Sequence, residues 1–285
     1  MTTRALLLTL LLPLPLAPDA RGAGEPPRGP GRGAPVATVV PAADAFPRAV
    51  LPVSAMVRIG GGSFRPLYAQ PGERTVSVAA FLLDARPVTR AEFEAFVRAA
   101  PRWQRSRAPR LFADRNYLGD WAGPADAGRA RDRSLPVTDV SWFAAKSYCE
   151  ARSARLPTVA EWEYAARADE HDWNAAAHPG FRQRALELAL GRRLRPAGSG
   201  FRNAWGVSDL HGNALEWVYD FASIFAGGDS RATSRLDRGL TCASGVTHTG
   251  DPGDYAAYLR YALRATLDAR STTGTLGFRC ARSVP

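Results

Sequence analysis

Three cysteines, Cys149, Cys242 and Cys280, are the residues of this sequence with the widest chemical range. A thiolate can attack an electrophile or bind a soft metal, and two thiols can close a disulfide. In an oxidising compartment two of the three can pair, and the residues alone permit every pairing. The one left over is either a reactive or partner-linked thiol or a small buried residue. The histidines offer less. His171 and His178 lack ligand spacing, and His248, near Asp251 and Asp254, reads as a solvated loop residue rather than a metal ligand.

Arginine dominates the charge. Lys and Arg total 37 against 27 Asp and Glu, for a formal net charge of +10. Lys146 is the only lysine, the arginines are scattered among acids, and no helix carries a basic stripe or a compact nucleic-acid-binding signature. We therefore expect no nucleic-acid partner, and a solvated Arg-rich surface instead.

Where the chain acts is suggested at its start. Arg4 precedes the apolar run Ala5 to Leu16, and small residues follow at Ala20, Gly22, Ala23 and Gly24. That order is a secretory signal peptide, assigned to residues 1–23. The run is too short, and too interrupted by Pro13 and Pro15, to cross a membrane. No cysteine lies beside the cleavage region to take a lipid, and no second apolar run of membrane length follows. The expected product is periplasmic or secreted, without a transmembrane segment. Residues 24–45, rich in Pro, Gly and Arg, read as a flexible leader. Residues 46–285 remain as one folded domain, and a composition 46% hydrophobic with 9% aromatics supplies a core.

The elements that must position the cysteines are short. Met56 to Ile59 reads as a strand breaking into a glycine turn, and Val76 to Leu83 as a single further strand. Thr89 and Glu92 stand at capping-box spacing before a helix over Arg90–Ala99, and Thr158 with Glu161 repeats the device before Trp162–Arg167. Ser141 precedes a helix over Trp142–Arg152, with Trp142, Ala145, Tyr148 and Cys149 on one side. Residues 105–130 are irregular, and 185–195 fit a short helix. The remainder reads as turns and short extended pieces. Few helices, many loops and no alternating strand–helix units predict an irregular α+β domain.

Three blocks are more specific: PVTDVSWFAAKSYCEARSARLPTVAEWEYAAR from Pro136 to Arg167, NAWGVSDLHGNALEW from Asn203 to Trp217, and LGFRCAR from Leu276 to Arg282. In this order and near these separations they resemble the sulfatase-modifying-factor, or formylglycine-generating-enzyme, family over roughly Met56 to Arg282. The resemblance implies a single domain with a variant of the C-type lectin fold, low in regular secondary structure. On the residues themselves, the Trp and Tyr side chains of the first block read as core, and alternation on a terminal strand points Phe278 and Cys280 inward.

The resemblance also implies roles. It pairs Cys149 with Cys280. It implies calcium at the turn before the Glu-Trp dipeptide, held by the Asp209 side chain, the carbonyls of Gly212 and Ala214, and Glu216. A glycine-containing turn that aims carbonyls inward suits a hard cation. The bland alternative is a tight turn with Glu216 as a salt-bridge partner. A second calcium site known in the family has no matching residues here.

Catalytic members of that family hold Cu(I) between two cysteines, because soft monovalent copper suits two thiolates. The matching stretch here is Asp237 to Ser244, with Cys242 the one candidate catalytic residue. In either register the second ligand is absent, since no cysteine lies between Cys242 and Cys280. Residues 245–256 also read as an insertion. Copper is disfavoured. The implied function is a non-catalytic accessory protein for another periplasmic protein, as in metalloenzyme maturation or secretion-system signalling. Arg260, Arg264 and Arg279 stand near the former groove, either to engage an acidic partner or as ordinary salt bridges. The alternatives are a copper-dependent oxidase that converts a substrate cysteine to formylglycine, and a lectin-like ligand binder, for which no sugar motif is present.

Overall fold

The computed structural model describes residues 54–67, 75–191, 193–222 and 253–284. Among them, seven short strands and five α-helices follow the chain. The strands are β1 (Met56–Ile59), β2 (Gly62–Phe64), β3 (Val76–Val78), β4 (Phe81–Asp84), β5 (Leu215–Trp217), β6 (Leu276–Phe278) and β7 (Ala281–Ser283). The helices are α1 (Arg90–Ala99), α2 (Trp142–Ala151), α3 (Val159–Ala166), α4 (Pro179–Leu190) and α5 (Tyr255–Thr266). Strands β1, β4 and β7 make an antiparallel sheet in that order, β2 pairs with β3, and β5 runs parallel to β6. The residues assigned to folding as one domain do form a single α+β unit.

The expected strand over 76–83 is two. Residues 76–78 pair with β2 and 81–84 with β1, so the chain changes sheets at Ala79 and Ala80. Gly61 permits this: a Cβ there would lie 3.0 Å from both Val78 O and Ala80 N, closer than a side chain tolerates. Alternation by itself cannot signal such a switch.

The helix starts follow their caps. Thr89 and Glu92 make both bonds of a capping box on α1, and Thr158 and Glu161 do so on α3. Ser141 accepts from the Ala144 amide at the start of α2. Helix α4 begins earlier than expected and ends at Leu190, because Pro179 can occupy a first helical position, where no amide is required. Helix α5 was expected as turns. Its buried face is Ala256, Ala257, Arg260, Tyr261 and Arg264, a helical spacing in which arginines occupy places that apolar residues usually hold.

The core gathers where α1, α2 and β6 meet. Phe93, Phe96, Tyr148 and Phe278 are essentially buried, with ring centroids 5.3–5.9 Å apart. Burying four aromatic rings is among the larger apolar contributions a domain can assemble. Beside them Cys149 on α2 and Cys280 after β6 join in a disulfide across 131 positions of sequence. Asp84 at the end of β4 fixes that corner. It accepts from the Cys280 amide at 2.9 Å and from both arms of the Arg152 guanidinium at 2.8 and 2.9 Å. No described helix is long and apolar enough to cross a membrane.

Candidate functional site

Two turns of the second block are held by side chains rather than by regular structure. The Asn203 carboxamide accepts from the amides of Trp205 and Val207 and donates to Ala165 O at 2.9 Å, tying the turn to the end of α3. Asp209, in a left-handed conformation (φ 63°), accepts from the amides of Gly198 at 2.6 Å and Gly200 at 3.0 Å, and from Asn213 Nδ2 at 3.2 Å. A Cβ on Gly200 would sit 2.2 Å from Asp209 Oδ1, so only glycine lets the carboxylate come this close.

Glu216, on β5, is the centre of the arrangement. Its Oε2 accepts from Trp162 Nε1 at 2.8 Å and Arg279 Nε at 2.7 Å, and its Oε1 from Arg279 Nη2 at 2.7 Å. Arg279 also donates to Asp84 O at 3.1 Å and Ser208 O at 2.9 Å. Both side chains of this ion pair are fully buried. A two-point guanidinium–carboxylate pair with its remaining donors satisfied is the geometry that makes burying two charges tolerable. The expected alternation therefore holds for Phe278 and Cys280, but Arg279 on the opposite face is just as buried, because Glu216 meets it there.

Arg260 and Arg264 of α5 reach Glu163 of α3. Arg260 donates from Nε at 3.1 Å and Nη2 at 2.6 Å, and Arg264 from Nη1 at 2.7 Å. Burial alone would raise the Glu163 carboxyl, but the two guanidiniums outweigh it and hold the group at about 2. Both arginines also stack on the Trp162 ring, at 5.0 and 5.2 Å from its centroid. All three arginines expected beside a groove are thus internal, 7%, 5% and 0% exposed for Arg260, Arg264 and Arg279. They form ion pairs inside the domain and no surface patch for an acidic partner, which corrects that expectation. Nothing in the spacing of Glu163 singled it out, since it reads there as one more residue of a capped helix.

His211, also unremarked from sequence, is buried against the end of α3, with its Nε2 2.7 Å from Ala166 O. Burial first, then the Arg260 charge, lowers its pKa to about 4, so the ring is neutral at ordinary pH.

Of the four residues implied to hold calcium, Gly212, Ala214 and Glu216 border one cavity of about 310 Å³, whereas Asp209 does not. Gly212 (φ 96°) and Asn213 (φ 61°) turn the chain sharply. Among the described residues no turn or loop amide donates to the carbonyl oxygens of Gly212 or Ala214. Two uncommitted carbonyls and two carboxylates are the oxygen-only donor set a hard cation takes, so the residues fit the ion in type. Arg260 and Arg264 on the same cavity wall, and Arg279 on Glu216, oppose it.

Copper is a different matter. With Cys149 and Cys280 joined, one cysteine of the three remains, Cys242, and it lies outside the described residues, as do His248 and Asp251. One thiol does not make a two-thiolate site, and the residues present do not fit the metal.

An irregular α+β domain, stapled by a disulfide and an internal Glu–Arg frame, defines the class. The family described as "Sulfatase-modifying factor enzyme 1-like domain" matches residues 41–284, and the chain belongs to that family. Among curated relatives it is 30% identical to the mouse protein named "Inactive C-alpha-formylglycine-generating enzyme 2", over 81% of this chain and 86% of that one. It is 29% identical to the "Formylglycine-generating enzyme" of Streptomyces coelicolor, over 88% and 95%. Among solved structures, PvdO from Pseudomonas aeruginosa aligns with a TM-score of 0.47 at 21% identity, covering 81% of this chain and 95% of that one.

Proposed function

We infer that this chain is a non-catalytic member of its family, exported and acting on another protein through binding. One observation carries the reading: the disulfide consumes two of the three cysteines, so no pair of thiolates remains for copper. The mouse relative named inactive shows that a family relative of comparable similarity carries that description. The apolar run near residue 5 and the disulfide both suit an oxidising compartment outside the cytoplasm. The test is direct. The purified chain is incubated with Cu(I), oxygen and a peptide carrying the sulfatase Cys-x-Pro-x-Arg motif. Mass spectrometry should find the peptide thiol unchanged. Formation of an aldehyde that Cys242→Ser abolishes would establish the oxidase reading instead.

Calcium belongs to the same proposal. It would be held by the Gly212 and Ala214 carbonyls and Glu216, with Asp209 bracing the turn, and it would supply cross-linking rather than chemistry. Chelation should lower the melting temperature of the wild type and leave Glu216→Gln unmoved. Identical melting of the wild type with and without chelator would remove the ion from the account.

A further inference from the structure

A second cavity, of about 180 Å³, lies between α3, α4 and α5, and the family reading assigns it nothing. Its volume is that of about six waters in the liquid. Four guanidiniums, Arg65, Arg167, Arg182 and Arg260, border it against two carboxylates, Glu163 and Asp254, a surplus of two positive charges. Neither carboxylate is idle. Glu163 already carries Arg260 and Arg264, and Asp254 Oδ1 accepts from the Ala257 amide to cap α5.

Two buried polar atoms at this cavity are unspent. Arg260 is 7% exposed, with Nε and Nη2 on Glu163, while Nη1 meets no acceptor. His211 is 5% exposed and also borders the cavity. Its Nε2 faces a carbonyl oxygen, which can only accept, so Nε2 carries the ring proton and Nδ1 is a bare lone pair without a partner. The Arg260 charge is felt at that ring, which places the two groups in one electrostatic neighbourhood. Buried polar atoms in native proteins are met by something, so the pair of vacant bonds describes an occupant. It must accept from Arg260, donate to His211, and carry negative charge to answer the surplus. An oxyanion stripped of all protons fails the second condition, and a neutral alcohol or water fails the third.

We propose that this cavity is a binding site for a small oxyanion that retains a hydroxyl, with hydrogen phosphate or a hydroxycarboxylate as the chemical type. The anion's oxygen accepts from Arg260 Nη1 and its hydroxyl donates to His211 Nδ1. Arg65, at the exposed rim, supplies long-range attraction. The site is independent of Cys242 and of the calcium turn's occupancy, so it stands or falls apart from the function proposed above.

The experiment is titration of the full chain with inorganic phosphate and, separately, sulfate, at matched ionic strength and at a pH where phosphate keeps one proton. Isothermal calorimetry should show saturable phosphate binding, with sulfate weaker by about tenfold or more, the size of one unmet buried hydrogen bond. With ¹⁵N-labelled histidine, four residues in all, phosphate should move the Nδ1 resonance of one buried ring and sulfate should not. Arg260→Gln should abolish the phosphate heat. Because that variant can lose its fold, the histidine resonance in the wild type decides alone. No phosphate binding, equal binding of both anions, or phosphate binding without movement of a histidine Nδ1 would each overturn the assignment and leave ordered water as the occupant.

Discussion

Glu163→Gln is the substitution that tests the internal frame most directly. The side chain keeps its shape and loses its charge, leaving Arg260 and Arg264 without their counterion at a position where both are at least nine-tenths buried. Breaking a buried pair by removing one partner costs about 3–5 kcal/mol, because the surviving charge stays desolvated. For a domain of this size that corresponds to a fall of roughly 6–20 °C in melting temperature. The control is Glu170→Gln, whose ion pair with Arg184 is 43% and 38% exposed. Such a surface pair contributes about 1 kcal/mol at most, and that little is screened by salt. Thermal unfolding at low and high salt should therefore separate the two: a large, salt-insensitive loss for Glu163→Gln and a negligible one for Glu170→Gln. The acid limb gives a second signature. A Glu163 carboxyl held at about 2, against 4.5 ordinarily, contributes stability that is complete above pH 4.5 and lost as pH falls toward 2. The Gln variant should lack that loss. Adding Arg264→Met to Glu163→Gln should cost less than Arg264→Met does alone, by about 1 kcal/mol or more, because the second change removes a stranded charge. If Glu163→Gln melts with the control, or if the double variant is simply additive, the frame is not held by charge and the reasoning fails.

Replacing Cys149 and Cys280 together with alanine opens a loop of 131 positions and should cost about 5 kcal/mol in the chain-entropy account, read as a lowered urea midpoint that reduction of the wild type reproduces. Gly277→Ala would place a methyl group 2.4 Å from Val137 O, a backbone atom that cannot rotate away, and should destabilise by about 1–3 kcal/mol in the same assay. Asp139 has its pKa raised to about 6, by burial first and then by Asp120 and Asp114, with Arg90 opposing. The folded state thus holds the proton more tightly, and the stability this contributes is complete below pH 3.8 and lost as pH rises to about 6. Asp139→Asn, fixed in the neutral form, should gain on the wild type across that window; parallel urea midpoints for the two proteins would contradict the assignment.

How much of this was legible in the sequence depended on whether the signal was local. Thr89 with Glu92 and Thr158 with Glu161 announce their helices because a capping box is complete within four residues. The switch between sheets at Ala79 and Ala80 depends instead on how closely Gly61 lets another segment approach, which no pattern within one strand records. Helix α5 was hidden for a related reason. Its inward positions include Arg260 and Arg264, and an arginine counts as core only once Glu163, 97 and 101 positions away, is known to meet it. The same long-range pairing turned a presumed basic patch into an interior one. Cysteine pairing was legible only through resemblance, since three thiols by themselves allow any partner.

The three sequence blocks that reveal the family are bound to one another, and that limits what they say about chemistry. Cys149 of the first block joins Cys280 of the third, Trp162 of the first donates to Glu216 of the second, and Glu216 takes both arms of Arg279 from the third. Each contact spends a group that sequence alone would allow to be reactive: a thiol, a carboxylate, a guanidinium. A chain can therefore keep all three blocks, and with them the fold, while its catalytic apparatus is free to change, because none of the residues that close this triangle is left over to act on a substrate. Membership in the family and possession of its activity are decided by different residues. In this chain the second question rests on Cys242 alone, and a lone sulfur cannot do what two do for a soft monovalent metal.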